Sequence, residues 1–127
     1  MMRDLYSNIS AVQAITPAVK AAAADGITID LAGSKAVAFI VNTGAIVSSG
    51  DFGVAIQESD ASGFGFAAPD AAFVDSNAPA TLAADSTYRL GYRGAKRYVR
   101  LSLTKAGGTS IALGAVAVLD PFDKPVA

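Results

Sequence analysis

The stretch Thr87-Tyr88-Arg89-Leu90-Gly91-Tyr92-Arg93-Gly94-Ala95-Lys96-Arg97-Tyr98-Val99-Arg100-Leu101-Ser102-Leu103-Thr104 decides the fold class. In its first half Tyr88, Leu90 and Tyr92 recur at every second position. In its second half Arg97, Val99, Leu101 and Leu103 share one face, and Tyr98, Arg100 and Ser102 share the other. A period of two belongs to the pleated strand, because successive side chains there point to opposite faces. Gly94-Ala95-Lys96 between the two runs predicts a tight turn, and hence a hairpin of Thr87–Arg93 with Arg97–Thr104.

Working outward, the same alternation recurs. Downstream, Gly107-Gly108 leads into the long apolar run Ser110–Leu119, which Asp120-Pro121 ends because proline brings no amide donor to a ladder. Upstream, Phe52–Glu58 places Phe52, Val54 and Ile56 on one face, and Ile27–Leu31 alternates before Ala32-Gly33-Ser34. Lys35–Asn42 is apolar on both faces, with Val37, Phe39 and Val41 on one and Ala36, Ala38 and Ile40 on the other, so both are expected to be buried. Ser59–Asp85 is rich in Gly, Ala, Asp and Pro and predicts long surface loops, with a short strand near Ala71–Asp75 and Phe64, Phe66, Phe73 and Val74 as anchors. Residues 1–16 predict an extended arm and a first short strand, and residues 120–127 an extended tail. Thr16-Pro17, the alanines of Ala18–Asp25 and Gly26 carry the signals of a short helix. With no internal repeat or linker, residues 1–127 predict one all-β domain, an antiparallel β-sandwich or jelly-roll-like fold.

Composition narrows the chemistry. The chain has no cysteine and no histidine, which removes disulfides, thiolate nucleophiles and cysteine-based metal sites, and also the commonest general base and metal ligand. The longest apolar runs, Ala36–Val41 and Ile111–Leu119, fall far short of the roughly 20 residues that cross a bilayer as a helix. The opening Met1-Met2-Arg3-Asp4-Leu5-Tyr6 lacks the apolar region of a secretory signal. Asp51, Glu58, Asp60, Asp70 and Asp75 could offer oxygen ligands to calcium, but not at the spacing of a calcium loop, and turn aspartates account for them more simply. Gly63-Phe64-Gly65 and Gly91-Tyr92-Arg93-Gly94 lack the lysine and hydroxyl of a phosphate loop, and no serine sits in a G-x-S-x-G elbow. Two carboxylates at a set separation would suffice for a glycosidase, but carboxylates alone do not mark one. The expectation is a protein without enzymatic activity, cofactor or metal.

Charge is segregated along the chain. From Ala36 to Thr87 there are six acidic residues and no lysine or arginine, whereas Arg89, Arg93, Lys96, Arg97, Arg100 and Lys105 gather six of the ten basic residues in the next stretch. With Tyr88, Tyr92 and Tyr98 nearby, nucleic-acid binding is one reading. A net charge of −1 argues against it, since phosphate binding usually shows as a positive balance. Contact between acidic and basic subunit surfaces, or a solvated face, fits the balance better.

Three segments together resemble a family of small virion proteins of tailed bacteriophages that decorate or stabilise the head. They are Asp30–Gly33 with Ala36–Gly44, Tyr88–Arg100, and Ala115–Leu119 with Pro121 and Pro125-Val126. The most specific is Tyr-x-x-x-Tyr-x-Gly-x-x-Arg-Tyr-x-Arg at Tyr88–Arg100, and Ile56–Asp60 resembles the family's strand-to-loop junction. The resemblance implies a capsid decoration or cement protein on the virion surface, made in the bacterial host cytoplasm. It further implies the major capsid protein and other copies of the chain as partners, with a trimer as the expected assembly; on composition and charge no membrane is expected and nucleic acid is disfavoured. Tyr88, Tyr92, Arg93, Arg97, Tyr98 and Arg100 become the expected subunit or capsid contacts, since Tyr and Arg are favoured at interfaces. It also implies extended chain rather than helix over Ala18–Asp25. The alternatives are a tail or head–tail joining component, or a carbohydrate- or calcium-binding β-module for host adhesion.

Overall fold

The computed structural model describes residues 4–61 and 63–122. After a 3-10 turn at Tyr6–Asn8 come nine strands: β1 (Ser10–Lys20), β2 (Ala24–Asp25), β3 (Ile29–Asp30), β4 (Ser34–Val47), β5 (Asp51–Ser59), β6 (Val74–Ser76), β7 (Thr87–Tyr92), β8 (Tyr98–Gly107) and β9 (Ser110–Pro121). They form two antiparallel sheets. The first has the order β1-β9-β4-β7-β6, and in the second β8 is flanked by β5 on one side and by β2 and β3 on the other. The expected all-β sandwich is present, and its connectivity is jelly-roll-like, since from β3 to β5 and from β7 to β9 the chain changes sheet at every step.

The core lies between the sheets. One layer comes from Val37, Phe39 and Val41 of β4, Leu90 and Tyr92 of β7, and the odd positions Ile111 to Leu119 of β9. The facing layer comes from Phe52 and Ile56 of β5 and Val99, Leu101 and Leu103 of β8. For β4, β5, β7 and β8 these are the faces that alternation in the sequence assigns; for β9 the apolar run of the sequence left the inward face open. Leu82 reaches the core from a loop, 1% exposed, with its amide donating to the carbonyl of Phe52 at 2.8 Å.

Three expectations are corrected, and of the two readings of Ala18–Asp25 the extended one holds. Thr87–Arg93 and Arg97–Thr104 are not a hairpin: β7 pairs with β4 and β6, while β8 lies in the other sheet. Alternation has the same appearance whether the next strand pairs alongside or crosses the sandwich. The first strand is long rather than short, and bulges between Gln13 and Ile15 and between Ile15 and Ala18 erase its period in the sequence. Ala18–Asp25 holds no helix, for Ala18–Lys20 completes β1 against β9 and Ala24–Asp25 pairs with Leu103 and Ser102 of β8. Sheet pairing there outweighs the helix preference of alanine. Finally, β4 buries one face only: Val37, Phe39, Val41 and Thr43 are buried, but Ala36 and Asn42 are exposed and Ala38 and Ile40 half-buried.

Smaller differences follow. The short strand of the long loop is Val74–Ser76, preceded by a 3-10 turn that Asp70 caps through its carboxylate to the Ala72 amide at 3.1 Å. Phe64 is no anchor, being 75% exposed. At the C-terminal end Asp120 and Pro121 still belong to β9, the Phe122 amide donates to the Gly33 carbonyl at 3.0 Å, and the tail expected over residues 123–127 lies outside the described residues.

Candidate functional site

The six residues singled out in the sequence fall in three places. Tyr88 is half-buried at the start of β7, its Oη accepting from the Ala83 amide at 3.0 Å. Tyr92, Arg93 and Arg97 stand at the corner where the chain leaves one sheet for the other. Tyr98 and Arg100 lie on the outer face of β8.

The corner is built on Tyr92. Its phenol, 5% exposed, donates to Glu58 Oε1 at 2.6 Å and accepts from the Lys96 amide at 3.1 Å. Burial, and then the bond to the Glu58 carboxylate, push the phenol up to about 12. Gly94 lies against the Tyr92 ring so closely that a Cβ there would overlap it. That close approach is why a glycine stands two residues after the tyrosine, and it lets the chain fold over the ring.

Arg93, Lys96, Arg97, Arg100 and Lys105 are each held by another part of the same chain. Arg93 reaches both oxygens of Asp75 at 2.9 and 3.2 Å and donates to the Ala72 carbonyl at 3.0 Å, tying the end of β7 to β6 and its turn. Lys96 meets Asp60 at 2.7 Å, and that carboxylate holds its ammonium pKa above the ordinary value. Arg97 grips Asp30 with a fork of two bonds, both 2.9 Å. The fork and the Ala32 amide hold the Asp30 carboxyl at about 2. Arg100 donates to Gln57 Oε1 at 2.8 Å, lies 3.2 Å from Asp25 and stacks on Phe66 at 4.0 Å, so three elements meet on one guanidinium. Lys105 donates to the Ala21 carbonyl at 2.9 Å.

The acidic and basic segments therefore meet inside one chain, with Asp60 and Asp75 of the acidic stretch taken by Lys96 and Arg93. Among the described residues no three acidic side chains converge in a way that could hold a metal ion. The chemistry of this corner is tethering: exposed pairs, each of small individual worth, fix the ends of loops to strands.

A second feature was not legible as a site. The outer face of the five-stranded sheet is formed by Ala38 and Ile40 of β4 and Ala112, Gly114, Val116 and Val118 of β9, where Ala38 stands opposite Val118 and Ile40 opposite Val116. Gln13 of β1 lies opposite Val116, and Pro17 lies on Gly114, where an added Cβ would come within 3.0 Å of the ring. Between β1 and β4 the face dips into a shallow depression of about 770 Å³. Its only sequence signal is the double-sided apolar run Lys35–Asn42 and the small residues of β9.

No family model matches the chain, and no curated protein matches it.

Proposed function

We propose that the chain is a structural protein of a tailed-phage particle, one that decorates and stabilises the capsid by binding the shell and neighbouring subunits. The resemblance of Tyr88–Arg100 supplies the prior. The observation that carries the reading is the division of labour on the surface: the polar groups of that motif hold the sandwich together, while an apolar sheet face is left for a neighbouring subunit and the edge strand β1 remains presented. A rigid body with outward-facing attachment surfaces is what a cement protein requires, and an edge strand can attach by strand addition with little demand on sequence. Jelly rolls serve viral capsids and lectins alike, so the fold by itself does not choose between them.

Mass spectrometry of purified virions of the phage that encodes the chain tests the reading, together with imaging of particles carrying a labelled copy. The expected result is the chain in many copies distributed over the whole head. Its absence from virions overturns the proposal, and label at a single vertex overturns decoration in favour of a joining role.

A further inference from the structure

An antiparallel sheet with one wet face alternates apolar-in with polar-out. The four-stranded sheet obeys this rule, for its outer face carries Gln57, Tyr98, Arg100 and Ser102. The five-stranded sheet breaks it. Along β4 and β9 the outward positions from Ala36 to Asn42 and from Ala112 to Val118 hold no ionisable side chain, and Val116 is 39% exposed. Charges stand at the margins of this face, with Arg89 on β7, Asp75 of β6 paired to Arg93, and the Lys35–Asp120 pair at one end.

We propose that a second copy of the chain covers this face, sheet packed on sheet, in a pair that takes the place of the trimer the resemblance implies. Three observations favour a copy over a partner of different chemistry. The side chains are small, so two such faces can approach to the roughly 10 Å spacing of stacked sheets. Neither face brings a charge to the centre, and the net charge of −1 leaves little repulsion between copies. The area suffices as well: the 12 residues of β9 at about 3.3 Å each, with β1 and β4 alongside at about 4.8 Å, give roughly 570 Å² per copy. The pair then covers roughly 1,100 Å², above the roughly 1,000 Å² that a specific interface should clear. The double-sided apolar run of β4 is thereby accounted for, since one face lines the core and the other lines the pair. The pairing stands whether or not the chain decorates a shell.

Analytical ultracentrifugation of the full chain over a micromolar to submillimolar series tests it. Dimers are expected, and Ile40→Lys with Val116→Lys should weaken them by at least about 100-fold, because two charges per copy would be buried unpaired. Phe64→Lys, on an exposed loop, should leave the association unchanged. Circular dichroism of the double variant reports whether the sandwich survives. If it does not, the absence of cysteine allows a single spin label at Ala112→Cys or at Ser102→Cys. Spin–spin broadening is expected from the first and not from the second. A monomer throughout the series, dimers indifferent to the double variant, or broadening at Ser102 alone would overturn the proposal.

Discussion

Tyr92 joins the core to the corner: its ring is buried between the sheets while its hydroxyl holds Glu58 and the Lys96 amide. Tyr92→Phe keeps the ring and strips the carboxylate of a donor, so chemical denaturation should show a loss of about 1–2 kcal/mol. In the wild type a phenol is expected to ionise near 12, and the ultraviolet titration of Tyr92→Phe should lack that step. Because the folded phenol titrates above its ordinary 10.0, its contribution is complete below pH 10 and is lost as pH rises towards 12. Asp30 has the opposite sign. With its carboxyl lowered from 3.8 to about 2, the ionised form stabilises the fold above 3.8, and that gain disappears as pH falls to about 2. The melting temperature of wild type should therefore exceed that of Asp30→Asn at neutral pH, and the two should converge at pH 2. The difference should be small, since the pair is exposed. Between β4 and β5, Ser48 and Ser49 take φ of 50° and 57°, a region that costs a side chain roughly 1 kcal/mol, so Ser49→Gly should raise stability by about that much in thermal melts.

At the scale of elements, what the sequence made legible was local. The inward faces of β4, β5, β7 and β8 follow from alternation at Val37–Val41, Phe52–Ile56, Tyr88–Tyr92 and Val99–Leu103, whereas the continuous apolar run of β9 gave a strand without a face. Pairing was less legible, because a period of two fixes which side chains share a face and says nothing about which strand lies alongside. The Gly94-Ala95-Lys96 connection illustrates this, resembling a hairpin turn while it carries the chain across the sandwich. Bulges hid β1, and Leu82 had no periodic neighbours to announce its place in the core. In the candidate site the residue types were legible but their partners were not, since Arg97 and Asp30 meet across 67 positions of sequence. The crossing predicts that Gly94→Ala, by driving a methyl group into the Tyr92 ring, lowers stability by about 1–3 kcal/mol in denaturant titrations.

The whole molecule is a sandwich of two unlike outer faces, one polar and cross-tied by ion pairs, the other apolar and uncharged at its centre. With Arg93, Lys96, Arg97 and Arg100 each held by a carboxylate of the same chain, the basic segment presents little free positive charge. The proposal of a virion part that attaches to other parts stands or falls on attachment. The most direct measurement is co-sedimentation of the purified chain with capsids, assembled without it, of the tailed phage to which the proposal assigns it. Saturable binding at a fixed number of copies per shell, with a gain in the shell's resistance to heat, is the predicted result; shells that sediment without the chain at every concentration would contradict it.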